Sequence, residues 1–221
     1  MKQKFTILFD LDGTLVDTAP DLIRAHNHVM KKFGYPTKTL GELKNAVGKG
    51  AKAMMAKANG QWKWFDEKIQ NEMTDEFLSF YGDNILHESK LINGVKEFLN
   101  WCKNENISMA VCTNKTEHLA VDLLKKIGIY NYFEYVAGYN TFEYCKPDPR
   151  HLTTVLEILD GDKNKSIMIG DSETDANAAK AAEIPIILLK YGYTEKRSED
   201  IYHNHIIKDF VGIEKIVSQY L

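Results

Sequence analysis

Short apolar runs that stop abruptly at polar residues recur along this chain, and each predicts a strand. Phe5-Thr6-Ile7-Leu8-Phe9 stops at Asp10, the run over 107–112 stops at Thr113, and Ile167-Met168-Ile169 leads through Gly170 to Asp171. Shorter runs lie over 135–137 and 186–189, and the third strand is placed at 166–169. Runs of this kind, bounded by turn-forming residues, suit strands buried on both faces of a sheet. Between them, helical spacing covers 95–104, 117–127 with Gly128 as its stop, 149–159 and 173–183. Strands that alternate with helices predict an α/β fold with a Rossmann-like parallel sheet. Ligands of such sheets bind beyond the carboxyl ends of the strands.

The stretch from Val16 to Glu88 breaks that alternation, with helical patterns and no convincing strand. Thr18-Ala19-Pro20-Asp21 reads as a helix start, with Thr18 as N-cap, Pro20 in the first turn and Asp21 at the capping-box position. The apolar face runs through Leu22, Ile23, His26, Val29 and Met30 and ends near Gly34 and Pro36. A second piece spans 40–47, Gly48-Lys49-Gly50 interrupts it, and 51–58 resumes the pattern up to Gly60. Ile69, Met73, Phe77, Phe80 and Tyr81 then mark one face of a long helix. The expected architecture is a core of residues 1–16 and 89–221 with an inserted all-helical cap domain, 17–88. Beyond Tyr191 the tail is polar and charged, with His203 and His205 expected at the surface and a closing helix over 209–220.

At 221 residues, with 44% hydrophobic and 27% charged positions, the chain suits an ordinary globular protein with a sizeable core. A net charge of −3 argues against nucleic acid or an anionic membrane as a main partner. Cys102, Cys112 and Cys145 are odd in number and lack C-x-x-C spacing, which disfavours a disulfide framework or zinc site and suits a reducing compartment. Asp10 and Asp12 break the first apolar run too early for a signal peptide, and no run approaches the ~20 apolar residues of a membrane span. A cytoplasmic location is expected.

The chemistry gathers at the strand exits. Asp10 and Asp12 stand two residues apart, so an extended chain keeps both on one side, and Gly13 permits the turn away from the strand. A carboxylate can attack phosphorus and a second can move the proton of the leaving oxygen. Asp10 is therefore the candidate nucleophile and Asp12 the candidate acid/base. Asp10, the carbonyl of Asp12 and Asp171 offer the sparse oxygen set that suits Mg2+, with Asp175 one helical turn further on as a direct or water-mediated ligand. Thr113 and Asn114 offer donors to phosphate oxygens, and Lys146, between Cys145 and Pro147, offers fixed positive charge. Singly, each has a plain reading: an Asp-Gly turn, a helix cap at Thr113, a solvated lysine, helix N-terminal charges at Asp171 and Asp175. Jointly, at one sheet edge, they make a complete phosphoryl site. Lys49, Arg24 and Lys115 could meet a carboxylate on the substrate, none singled out, and Trp62, Trp64 and Phe65 suit a cap core or interface.

With these residues the chain resembles the haloacid dehalogenase-like superfamily, in its phosphoglycolate phosphatase branch. The run from Asp10-Leu11-Asp12-Gly13-Thr14 to Leu22 is similar to the first motif, Thr113-Asn114-Lys115 to the second, Lys146-Pro147-Asp148-Pro149 to the third and Gly170 to Asp175 to the fourth. Val47 to Gly50, Asn93-Gly94-Val95 and the stretch 178–185 also fit. The resemblance implies the Rossmann-like core and helical cap, Mg2+ dependence, and the roles given to Asp10, Asp12, Thr113, Lys146, Asp171 and, more loosely, Asp175. It implies a small phosphorylated metabolite as substrate, with 2-phosphoglycolate first. A sugar phosphomutase, a pyrophosphatase or nucleotidase, and a non-catalytic binder remain alternatives; oligomeric state stays open. Glu183 stands where the branch has glycine, and implies a reshaped turn there.

Overall fold

The computed structural model describes residues 3–43, 46–47, 50–58, 66–194 and 196–221, without the side chains of 57 and 58. The strands are β1 (Thr6–Phe9), β2 (Val16–Asp17), β3 (Lys90–Leu91), β4 (Ser108–Cys112), β5 (Tyr135–Ala137), β6 (Ser166–Gly170), β7 (Ile186–Leu189) and β8 (His205–Ile207). Six of them form one parallel sheet in the order β5-β4-β1-β6-β7-β8. By sequence rank within the sheet this is the doubly wound order, whose switch point falls at the central strand. The α/β, Rossmann-like class expected from the sequence is therefore the observed one.

Helices α5 (Val95–Asn104) and α6 (Glu117–Lys126) cover one face, and α7 (Arg150–Ile158) and α8 (Glu173–Ala182) the other. Covering both faces explains the unbroken apolar strands. Ile7 and Phe9 pack with Phe98, Leu99 and Leu123 on one side, and Leu8 packs with Leu152, Val155, Ala176 and Ala179 on the other. Each fully buried side chain of this size contributes about 1.5–3 kcal/mol. Phe9 also meets Phe98 and Phe133 edge-on, at ring separations of 6.2 and 5.8 Å.

Between β2 and β3 lie α1 (Ala19–Lys32), α2 (Leu40–Leu43), α3 (Ala51–Ala58) and α4 (Glu67–Asp83). The long face predicted from Ile69 to Tyr81 is real: Met73, Phe77 and Tyr81 are buried, and His28 of α1 stacks on Phe80 at 4.0 Å. Asp66 caps α4 by accepting from the Ile69 amide at 2.8 Å. The expectations on Gly48, Lys49, Gly60, Trp62, Trp64 and Phe65 lie outside the described residues.

Four local expectations are corrected. The segment from Val16 does hold a strand, because β2 pairs with β3 to make a two-stranded antiparallel ribbon where the chain enters and leaves the insertion. Asp21 does not close a capping box. It accepts from the amides of His87, Glu88 and Ser89 and from the Ser89 hydroxyl, tying the return crossing to α1. The tail contains a sixth sheet strand, β8, with His205 half-buried beside Tyr220, and its closing helix α9 is only Glu214–Val217. Glu183 keeps the left-handed turn (φ 59°) instead of reshaping it.

Candidate active site

The sheet register explains why the functional side chains meet. Phe9 is level with Val111 of β4 and Ile169 of β6, so Asp10 leaves β1 beside Cys112 and Gly170, the residues directly before Thr113 and Asp171. The Asp10 amide donates to Ile169 O at 2.9 Å and the Thr113 amide to Ala137 O at 2.9 Å, which holds each to the last rung.

Lys146 lies at the centre. Its Nζ is 2.7 Å from Asp10 Oδ1 and 2.6 Å from Asp175 Oδ1, and the residue is 2% exposed. Asn114 Nδ2 donates to the Lys146 carbonyl at 2.8 Å and steadies the loop. Asp175 is both helix charge and site residue: its Oδ2 completes the capping box of α8, accepting from the Ser172 hydroxyl at 2.6 Å and the Ser172 amide at 3.1 Å. Asp171 Oδ2 accepts from the Tyr193 amide at 2.6 Å. Gly13 sits against that carboxylate at φ 84°, and a Cβ there would collide with it. Gly13 thus serves both the turn and the approach.

Asp10, Asp171 and Asp175 each bring a carboxylate oxygen within 4.8 Å of the other two, all buried. Three carboxylates face one ammonium, so full ionisation leaves two negative charges uncompensated, the complement of a divalent cation. Burial pushes the Asp10 carboxyl up to about 7 against the pull of Lys146, and Asp175 adds to the push. Burial, then Asp10 and Asp175, raise Asp171 well above the usual carboxylate range. Burial disfavours the Lys146 ammonium, but Asp10 and Asp175 outweigh it and raise its pKa. An all-oxygen, charge-deficient set of this kind fits a hard cation.

Asp12 points elsewhere. Lys115 Nζ contacts both its oxygens, at 2.8 and 2.9 Å, and the Thr18 hydroxyl donates at 2.7 Å. The Lys115 ammonium also lies 4.6 Å above the Tyr81 ring of α4. A cavity of about 270 Å³ opens beside this group, walled by Asp12, Asn114, Lys115 and Leu119 from the sheet edge and by residues of α1, α3 and α4.

The structure therefore gathers Asp10, Lys146, Asp171 and Asp175 in one cluster and Asp12 in a neighbouring one. Thr113 is buried, its hydroxyl accepting from the Lys115 amide at 3.1 Å. Arg24 is bound away from the cluster, to Asp21 and Asn84 O, each at 3.2 Å. Burial raises the Cys145 thiol, which leaves it unactivated beside Lys146. Sequence reasoning missed the pairing of Lys115, the hydroxyl of Thr18, and Tyr193, whose OH bonds Asp17 and accepts from the Ala19 amide. Tyr193 was findable: it follows the exit of β7, the same edge that singled out Thr113 and Asp171.

A buried acidic cluster with an ammonium stands at the switch point of this doubly wound parallel sheet, where proteins of this fold class bind their ligands. The family model described as haloacid dehalogenase-like hydrolase matches residues 7–189. A phosphoglycolate phosphatase of Agrobacterium fabrum is 38% identical over 218 residues, 96% of this chain and 94% of that one. One from Mesorhizobium japonicum is 36% identical over 205 residues, 92% and 90% of the two chains. The crystal structure of a predicted phosphoglycolate phosphatase from Haemophilus somnus 129pt superposes with a TM-score of 0.91 at 28% identity, covering 98% of this chain and 99% of that one. The chain belongs to the haloacid dehalogenase-like hydrolase family, and it is an enzyme of the phosphoric monoester hydrolase class. Among the described residues no helix is long and apolar enough to cross a membrane.

Proposed function

We propose that this enzyme hydrolyses a small phosphomonoester, 2-phosphoglycolate first among candidates, through an aspartyl-phosphate on Asp10. The observation that carries the proposal is the Lys146 ammonium bridging Asp10 and Asp175 beside Asp171, with Asp12 held separately by Lys115. The names of the two relatives, each matched over at least nine-tenths of both chains, support the substrate.

An Asp10 oxygen attacks phosphorus as the bond to the ester oxygen breaks, and Asp12 delivers its proton to that oxygen. Water then attacks the aspartyl-phosphate, Asp12 takes the water's proton, and phosphate leaves with Asp10 restored. Lys146 neutralises charge on the phosphoryl group, and Thr113 and Asn114 donate to its oxygens. Asp10, Asp171 and the Asp12 carbonyl would hold Mg2+, with Asp175 direct or through water, and the bound cation would supply positive charge at the phosphoryl oxygens. Residues 1–16 and 89–221 act as the catalytic core and 17–88 as a cap that excludes water from the reaction. The three free thiols, two of them buried, suit the cytoplasm.

Phosphate release from 2-phosphoglycolate, pyrophosphate, nucleoside monophosphates, sugar phosphates and p-nitrophenyl phosphate, with and without Mg2+, tests the reading. Mg2+-dependent release that favours 2-phosphoglycolate is expected. Negligible release throughout overturns the phosphatase, and a preference for another substrate overturns the glycolate.

A further inference from the structure

The cavity between the sheet edge and the inserted helices has two chemistries. Leu22, Met54, Phe77, Leu78 and Leu119 make much of its described wall apolar. Among the described lining residues, Asp12 and Lys115 are the buried charges, while Lys52 is exposed. Lys115 is 8% exposed, a rare state for a lysine, and a buried ammonium needs a partner. Asp12 is that partner here, with the Tyr81 ring packed against the same ammonium. Lys115 also lines the cavity, a placement that pairing with Asp12 does not by itself require.

The position of Asp12 makes that border informative. Under the proposed mechanism Asp12 meets the ester oxygen of the substrate. An ammonium within hydrogen-bond distance of Asp12 then lies next to the carbon that this oxygen carries, and to whatever that carbon bears. The rest of the described wall is mostly apolar; its other polar residues are the neutral Thr74, Tyr81, Asn114, Thr116 and Tyr139 and the exposed Lys52, so Lys115 is its buried cation. We infer that Lys115 reads the leaving group: it binds an anionic substituent on the carbon beside the ester oxygen, and sets a preference for phosphomonoesters of short 2-hydroxy carboxylic acids. This rests on the phosphatase reading and assigns its selectivity to one residue.

The test compares 2-phosphoglycolate with 2-hydroxyethyl phosphate, which carries a neutral hydroxymethyl group in place of the carboxylate. The native chain should favour the carboxylate by about 10- to 100-fold in kcat/KM, the range of one charge-assisted contact. Lys115→Gln should bring the ratio close to one, chiefly through KM for 2-phosphoglycolate, and Lys115→Arg should keep most of it. Any misplacement of Asp12 slows both substrates and cancels in the ratio. Equal losses with the ratio intact overturn the inference and leave the substrate reading standing. A ratio near one in the native chain removes both, before any variant is made. If neither variant folds, inhibition of 2-hydroxyethyl phosphate hydrolysis by glycolate reads the same contact. Glycolate should act at concentrations at least about tenfold below ethylene glycol; equal inhibition overturns the inference.

Discussion

Lys146 Nζ and Asp10 Oδ1 lie 2.7 Å apart, although 136 residues separate them along the chain. The contact is buried at both ends, and the same ammonium serves Asp175. Removing either partner should therefore have unequal effects. Lys146→Met strands two buried carboxylates and should destabilise the metal-free chain by about 3–5 kcal/mol. Asp10→Asn removes one of three crowded negative charges, so its melting temperature should equal or exceed the native value. Its phosphate release should nonetheless fall by at least about 10³-fold, because the proposed nucleophile is gone. Thermal melts and phosphate release on the two variants check this, and a strongly destabilised Asp10→Asn would contradict the charge argument.

Divalent cation should stabilise the chain, and more so as pH rises. The folded chain keeps the Asp10 proton up to about pH 7, whereas an ordinary aspartate loses it near 3.8. Between those values the folded state binds more protons than the unfolded one, so this group's contribution to metal-free stability falls as pH rises through the window. A divalent cation bound at this cluster, Mg2+ in the proposed function, would have to displace that proton at the low end and would find a carboxylate at the high end. Melting curves at saturating Mg2+ should show a larger upward shift at pH 7.5 than at pH 5. Asp171→Asn should largely abolish the shift, since it removes one of the three oxygens that lie within 4.8 Å of one another. A shift independent of pH would place the cation elsewhere.

The legible part of this site is the part that local geometry dictates. Asp10, Thr113 and Asp171 follow apolar runs, and a strand that ends in a parallel sheet delivers its next residue to the ligand edge whatever else the chain does. Lys115 was legible only as one of three cations that could meet a substrate carboxylate; its burial was not, because that depends on Tyr81, from a helix in the insertion, lying over it. Asp21 looked like a capping residue by spacing, and only the return of Ser89 to the same place reveals its use. Strand β8 is three residues long at the sheet edge, so its pairing with β7 decides its state more than its own composition does.

The Asp21 carboxylate should carry much of the joint between insertion and core. Burial alone would raise its pKa, but the Ser89 hydroxyl and the amides of Glu88, Ser89 and His87 outweigh burial and hold it below the usual range. Asp21→Asn puts an amide donor among those donors and should cost about 2–3 kcal/mol. A depressed carboxyl stabilises the fold above its unfolded pKa, and that contribution is lost as pH falls through the folded value. The stability gap between native and variant should thus be full at pH 7 and narrow below about pH 4. A gap unchanged at pH 3 would mean that packing, not charge, sets the effect.

Glu183 offers a test of backbone strain well separated from acid chemistry. It ends α8 at φ 59° and ψ 36°, a left-handed conformation that costs a residue with a Cβ about 1–2 kcal/mol. Its side chain pairs with Lys163 at the surface, three-quarters exposed, where solvent screens an ion pair to little net effect. Replacing the residue by alanine loses the pair and keeps the strain, whereas glycine loses the pair and relieves it. Glu183→Gly should therefore be more stable than Glu183→Ala by about 1 kcal/mol, the reverse of the usual order in a helix interior. Denaturant unfolding of the two variants decides it. Equal stabilities would mean that the turn relaxes once the glutamate is gone, and that the Lys163 pair holds the left-handed conformation in place.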